Sequence, residues 1–123
     1  MKAMGEETIF DASEEDFEQR VIEASRDKLV LVDFWAEWCA PCVRLAPVLE
    51  KVVRSYEGTV LLARVEADDN MRLAGAFRVK GFPSVLLFQN GEEKGRFAGF
   101  RLERDIREFI ETWQRFEFAE GTD

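Results

Sequence analysis

The sequence contains no histidine and only two cysteines among its 123 residues. Without histidine, the chain cannot supply a Ser-His or Cys-His catalytic pair, a histidine general base or an imidazole ligand for a metal. Two cysteines exclude a Cys₄ zinc site within one chain and permit at most one disulfide. These absences exclude most hydrolase mechanisms and a disulfide-rich scaffold.

Long apolar runs are also missing, and acidic residues outnumber basic ones. No run approaches the roughly 20 apolar residues that span a bilayer, and the first residues, one basic and then acidic, do not resemble a signal peptide. We therefore expect a cytoplasmic protein whose thiols are reduced at rest. Since 17 Lys and Arg stand against 25 Asp and Glu, the net charge of −8 argues against nucleic acid or a membrane surface as a partner.

Alternating strand and helix patterns predict a single α/β domain, with a core over residues 8–114, an N-terminal tail over 1–7 and a C-terminal extension over 115–123. The run from Leu29 to Trp35 is too continuously apolar for a one-sided sheet, so it predicts a central strand covered on both faces. Pro47 lies inside the clearest helical pattern and is expected to kink that helix. The predicted order is strand 8–10, helix from 13, strand 29–35, helix to about 57, strand 60–65, helix 70–77, strands 84–89 and 94–98, and helix from about 103.

Cys39 and Cys42 lie where the central strand is followed by the long helix. Unpaired N–H groups and the helix dipole favour a thiolate there and lower its pKa, so Cys39 is the expected nucleophile. Cys42, in the first turn, is close enough to attack a mixed disulfide at Cys39. A zinc half-site in a dimer, or two inert thiols, are the alternatives.

The segment Val32–Cys42, VDFWAEWCAPC, closely resembles the active-site segment of the thioredoxin family. The resemblance extends over about residues 8–114 and includes Leu45-Ala46-Pro47, Gly81-Phe82-Pro83-Ser84, the segment 88–92 and Gly99. It implies an α/β thioredoxin fold of three layers, with a central mixed sheet of about five strands flanked by about four helices. The chain departs from the usual family pattern at four positions, which are Ala40, Val43, Arg64 and Phe82.

The resemblance also implies roles for individual residues. Cys39 matches the exposed attacking thiol, Cys42 the buried resolving thiol, and Asp33 the buried carboxylate that acts as base or proton relay. A lone carboxylate in an apolar strand is expected to have a raised pKa, although pairing with Arg64 is the simpler structural alternative. No metal ligands are implied. The implied substrate-binding residues are Trp38, Ala40, Pro41, Phe82, Pro83 as a cis rather than an ordinary trans proline, and Gly99.

Taken together, the motif and the resemblance predict a thiol-disulfide oxidoreductase that reduces protein disulfides through a reversible Cys39–Cys42 pair. We expect a monomer. The family implies that the protein needs no bound cofactor and is recycled by an NADPH-dependent flavoprotein, thioredoxin reductase. An oxidant or isomerase would need an oxidising compartment. The other alternative is a chaperone or assembly module with secondary redox activity, suggested by aromatic residues near the site and in the extension: Trp38, Phe82, Phe100, Phe116 and Phe118.

Overall fold

A computed structural model describes residues 7–114 and contains one mixed β-sheet. Its strands are β1 (Ile9–Asp11), β2 (Leu29–Trp35), β3 (Val60–Glu66), β4 (Ser84–Gln89) and β5 (Glu92–Ala98). The spatial order is β1-β3-β2-β4-β5, with β3 parallel to both β1 and β2, and β4 antiparallel to both β2 and β5. The predicted five-stranded mixed sheet is confirmed.

Helices cover both faces of the sheet. They are α1 (Ala40–Ser55), α2 (Met71–Ala76) and α3 (Glu103–Gln114), together with an N-terminal helical segment before β2. The N-terminal segment differs from the α-helix predicted from residue 13, because Glu18–Glu23 is wound as a π-helix and Ala24–Arg26 as a 3₁₀ turn. It also begins later than predicted, because Phe17 is the N-cap residue of the π-helix and makes no side-chain capping hydrogen bond. Ser13 lies before the helical segment, and Asp16 Oδ1 accepts its N–H at 2.8 Å.

The central strand explains why the fold has three layers. Along β2, Val30, Val32 and Phe34 pack into a core shared with the N-terminal helical segment and α2. Leu29 and Leu31 point to the opposite face, into a core shared with α1 and α3. The strand is therefore buried on both faces, as its continuous apolar character predicts.

Local signals place most element boundaries correctly. The Asn90–Gly91 pair forms a tight turn with positive φ at both residues, 57° and 83°, and joins β4 to β5 as the predicted hairpin. Pro47 lies inside the continuous helix α1, and the kink predicted there stays a prediction. No helix within residues 7–114 combines the length and apolar character needed to cross a membrane.

The two ends of the chain fall outside this description. Residues 1–6 and the extension over 115–123, with Phe116 and Phe118, are not among the described residues. The division of the chain into tail, core and extension therefore stays a prediction, as does any partner contact by the two phenylalanines.

Candidate active site

The two cysteines lie at the N-terminus of α1, just after the carboxyl end of β2. Cys39 is the N-cap residue, and its Sγ accepts the backbone N–H of Cys42 at 3.2 Å. Pro41 lies in the first turn, where its missing N–H costs no helical hydrogen bond. One backbone N–H of the helix start thus reaches the sulfur of Cys39, and it also bonds to the Cys39 carbonyl at 3.1 Å. A thiolate at this sulfur would gain from that N–H and from the helix dipole.

Cys39 and Cys42 form a disulfide with their Cα atoms 5.3 Å apart. They pack into a small cluster with Ala36, and Trp35 and Phe82 lie against it. Cys39 is expected to be the exposed thiol, but the structure buries it. Only 4% of Cys39 is exposed, against 1% of Cys42. The helix start and the neighbouring aromatic side chains cover Cys39 in this disulfide-bonded form.

An aromatic pair, one ring exposed and the other half-buried, includes a side chain that packs on the disulfide cluster. Trp38 is 68% exposed, and its ring meets that of Phe82 edge to face, with centroids 5.7 Å apart. The Phe82–Pro83 peptide bond is cis, as predicted, and the carbonyl of Pro83 accepts the N–H of Gly99 at 2.8 Å. The ring contact, the cis peptide bond and this hydrogen bond link these four residues in sequence, although Pro83 itself is buried.

The other residues predicted near the disulfide lie in two different parts of the structure. Ala40 is exposed and Pro41 half-buried, both in the first turn of α1. Phe100 packs instead against the core between the sheet and α1, with the guanidinium of Arg44 5.2 Å from its ring centroid. Within the described residues, the side chains that pack on the cysteine cluster therefore do not include Phe100.

Asp33 is a buried carboxyl in the middle of β2, only 1% exposed. It points to the face of the sheet covered by α1, the face shared by Leu31 and by Trp35, which packs on the cysteine cluster. Burial raises the pKa of Asp33 from 3.8 to about 6, and the positive charge of Arg64 opposes that rise.

Arg64 is the partner of Asp33 on the neighbouring strand. Its Nε donates to Oδ2 of Asp33 at 3.3 Å, and its guanidinium carbon lies 4.7 Å from the centroid of the Trp35 ring. The other oxygen, Oδ1, has no hydrogen-bond partner among the described residues. The pairing with Arg64 and the raised pKa therefore coexist, because desolvation outweighs the attraction of the single cation.

One residue near the site was not singled out from the sequence. Asp68 lies in the 3₁₀ turn Ala67–Asp69 after β3, and its Oδ2 accepts the indole N–H of Trp38 at 3.1 Å. No sequence motif indicates Asp68, and only the topology of the sheet could have predicted its position near the site. Because β2 and β3 are parallel, the residues that follow them meet at the same edge of the sheet.

Comparison with known proteins gives the family. A protein-family model described as Thioredoxin matches residues 8–112. The chain belongs to the thioredoxin family. It is 36% identical over 90 residues to the thioredoxin of Chlorobaculum thiosulfatiphilum, an alignment that covers 73% of this chain and 82% of that protein.

Two further relatives align with a longer stretch of this chain. The thioredoxin of Pseudomonas aeruginosa is 35% identical over 105 residues, which is 85% of this chain and 95% of the relative. The probable thioredoxin-2 of Caenorhabditis elegans is 41% identical over 105 residues, covering 85% of this chain and 71% of the relative.

Family membership and the Cys39–Cys42 disulfide define this thioredoxin-family chain as a thiol-disulfide oxidoreductase that acts on protein disulfides. The predicted family, fold class and enzyme class are confirmed. The family also implies that the protein works without a bound cofactor. Within residues 7–114, no cluster of three or more acidic or cysteine side chains is arranged to hold a metal ion.

Proposed function

We propose that this protein reduces disulfides in other proteins and is recycled by an NADPH-dependent thioredoxin reductase, acting in the cytoplasm as a monomer. The observation that carries the proposal is the position of the disulfide. It lies at the N-terminus of α1, on the sheet face that contains buried Asp33 and next to the exposed ring of Trp38. In this proposal, the helix start favours the thiolate of Cys39, Asp33 is the base, and the ring of Trp38 is part of the contact surface for a substrate.

In the proposed reaction, the thiolate of Cys39 attacks one sulfur of a substrate disulfide. A mixed disulfide forms with Cys39, and the other substrate sulfur leaves as a thiolate. Cys42 then loses its proton to Asp33 and attacks the sulfur of Cys39. The second substrate thiol is released, and the two electrons given to the substrate leave Cys39 and Cys42 joined as a disulfide.

The raised pKa of Asp33 supports its part in the second step. With a pKa of about 6, the carboxyl is mostly ionised at neutral pH and can accept a proton from Cys42. A proton bound there is held more tightly than at an exposed aspartate, whose pKa lies near 3.9. Asp33 thus has a proton affinity closer to that of a thiol, which favours transfer in both directions.

The substrate is proposed to bind along the surface that borders the disulfide. Exposed Trp38 and half-buried Phe82 offer apolar contact area, and the backbone around Pro83 offers polar groups for an extended segment of substrate. The hydrogen bond from Gly99 to the carbonyl of Pro83 holds this backbone in place. Ala40 and Pro41, at the exposed start of α1, are proposed to border the same segment.

The test is the reduction of insulin by dithiothreitol, followed as turbidity. We expect the protein to accelerate this reaction and Cys39→Ser to abolish the acceleration, whereas Ser55→Ala, at the far end of α1, serves as the control. No acceleration by the wild-type protein, or full activity of Cys39→Ser, would contradict the proposal.

The Asp33 step has its own test. Asp33→Asn is expected to slow the attack of Cys42, so that the mixed disulfide accumulates at neutral pH and can be trapped by acid quenching and mass spectrometry. Unchanged turnover without a trapped intermediate would remove Asp33 from the mechanism.

The exposed ring of Trp38 favours a second candidate, a protein-binding module in which the thiols are secondary. The distinguishing experiment is suppression of client aggregation by the double variant Cys39→Ser, Cys42→Ser. Retained suppression together with absent insulin reduction would favour this candidate over the reductase.

A further inference from the structure

Within residues 7–114, the Trp38 side chain makes one hydrogen bond and one aromatic ring contact. It follows β2 in the short connection to α1 and is more exposed than most large apolar side chains in the described residues, at 68%. One contact is the edge-to-face packing on Phe82, and the other is the hydrogen bond from its indole N–H to Asp68. An exposed tryptophan without such contacts samples several rotamers, which costs entropy when a partner binds.

Asp68 itself lies in a turn that is fixed from several directions. Asn70, nearly buried, donates its side-chain N–H to the carbonyl of Glu66 at 2.9 Å, across the turn that contains Asp68. The side-chain oxygen of Asn70 accepts the backbone N–H of Glu14 at 2.9 Å. The turn is therefore tied both to the end of β3 and to the N-terminal segment, so Asp68 presents its carboxylate from a defined position.

A continuous set of contacts leads from this turn to the disulfide. Asp68 binds the indole of Trp38, Trp38 packs on Phe82, and Phe82 packs on the cluster that contains Cys39 and Cys42. The hydrogen bond to Asp68 fixes the edge of the indole that carries the N–H, while Phe82 fixes the ring plane. These two contacts restrict the orientation of the ring, and Phe82 connects it to the cluster that contains the two cysteines.

We propose that Asp68 is a positioning residue for protein substrates, which acts by holding the exposed ring of Trp38 in its substrate-binding orientation. The inference rests on the proposed reduction of protein disulfides. Asp68 does not touch the reacting sulfur atoms, so its removal leaves the exchange chemistry intact and weakens the recognition of a large substrate. A small disulfide, which needs no extended contact surface, depends on Asp68 far less.

The test compares two substrates with the fully reduced protein in single-turnover reactions. One is insulin and the other is hydroxyethyl disulfide, a small neutral compound. Asp68→Ala removes the acceptor, and Asp68→Asn keeps an acceptor oxygen while removing the charge. Asp69→Ala is the matched control, since Asp69 is the adjacent exposed acid of the same turn.

We expect the ratio of second-order rate constants, insulin over hydroxyethyl disulfide, to fall about fivefold in Asp68→Ala, the effect of losing one hydrogen bond of ordinary strength. Asp68→Asn should retain most of the ratio, and Asp69→Ala should leave it unchanged. In Asp68→Ala, the ¹H–¹⁵N signal of the Trp38 indole should shift and its nuclear Overhauser contacts with the Phe82 ring should weaken. Trp38→Phe identifies that signal by its loss.

Three results for the rate ratio would overturn the proposal. They are an unchanged ratio in Asp68→Ala, a fall in Asp68→Asn as large as that in Asp68→Ala, and an equal fall in Asp69→Ala. A parallel fall of both rate constants would also overturn it, because Asp68 would then act on the chemistry or the fold. Failure of the wild-type protein to reduce insulin would instead count against the proposed function, so the two failures are distinguishable.

Discussion

Replacing Asp33 by asparagine should stabilise the oxidised protein, and the gain should appear only as the pH rises. Asparagine has nearly the same shape as a protonated aspartic acid and stays neutral at every pH. Its side-chain oxygen can still accept the Nε–H of Arg64, as Asp33 does at 3.3 Å. The change therefore removes a buried negative charge without leaving a cavity.

The magnitude follows from the pKa of Asp33. Below pH 3.8 the carboxyl is protonated in both the folded and the unfolded protein, so it makes no pH-dependent contribution to stability. Between pH 3.8 and about 6, the unfolded chain releases the proton and the folded protein retains it, so stability falls as the pH rises. Above about 6, both forms are ionised and the loss stays constant, at about 3 kcal/mol if each tenfold change in proton affinity is worth about 1.4 kcal/mol.

Urea unfolding of the oxidised wild type and of Asp33→Asn at pH 4 and pH 7.5 measures this effect. The stability of the variant relative to the wild type should increase by about 2 to 3 kcal/mol between the two pH values. Asp27→Asn, which removes an exposed carboxylate, is the control for net charge. A difference that is independent of pH, or a variant less stable than the wild type at pH 7.5, would refute the argument that desolvation dominates at Asp33.

Two further changes test neighbouring contacts. Arg64→Met should raise the pKa of Asp33 above about 6, because it removes the cation that opposes the effect of desolvation. A ¹³C NMR titration of the Asp33 carboxyl measures this pKa, with Arg54→Met as the control. An unchanged or lowered pKa would contradict the pairing of Asp33 with Arg64. Glu14→Gln should cost about 1 kcal/mol or less in urea unfolding, because Oε2 of Glu14 accepts the first N–H groups of α2, at 3.0 Å from Arg72 and 3.3 Å from Leu73. An equal loss in Glu15→Gln would show that the capping contact is not the cause.

The parts of the fold that were predictable depend on neighbours in sequence. The run from Leu29 to Trp35 predicts a doubly covered central strand because every side chain in it is apolar except one. Asn90 and Gly91 predict the hairpin because both adopt positive φ at little cost. Cys39 and Cys42 could be placed at a helix start because a continuous apolar run precedes them and a pattern with helical periodicity follows them.

The exposure of Cys39 and the winding of the N-terminal helical segment could not be predicted in the same way. The exposure of Cys39 depends on how Phe82 packs against it, and these residues are brought together by the sheet rather than by a local motif. In the N-terminal segment, the spacing of Phe17 and Val21 fits an α-helix, but the same residues also meet the core when the turn is wound as a π-helix. Apolar spacing alone does not distinguish these two windings over one or two turns.

The contacts of Trp38 show why the residues at the edge of this site could not be predicted from sequence motifs. Its partner Asp68 is 30 residues away, and the Asn70 side chain that stabilises the turn bonds to Glu14 at a separation of 56 residues. Each of these residues is an ordinary polar residue in a turn when considered alone. They meet because parallel pairing of β2 with β3, and of β1 with β3, brings the ends of three strands to one edge of the sheet. The chemistry of the cysteines is therefore encoded locally, whereas the surface that presents them to a protein substrate is a product of the topology.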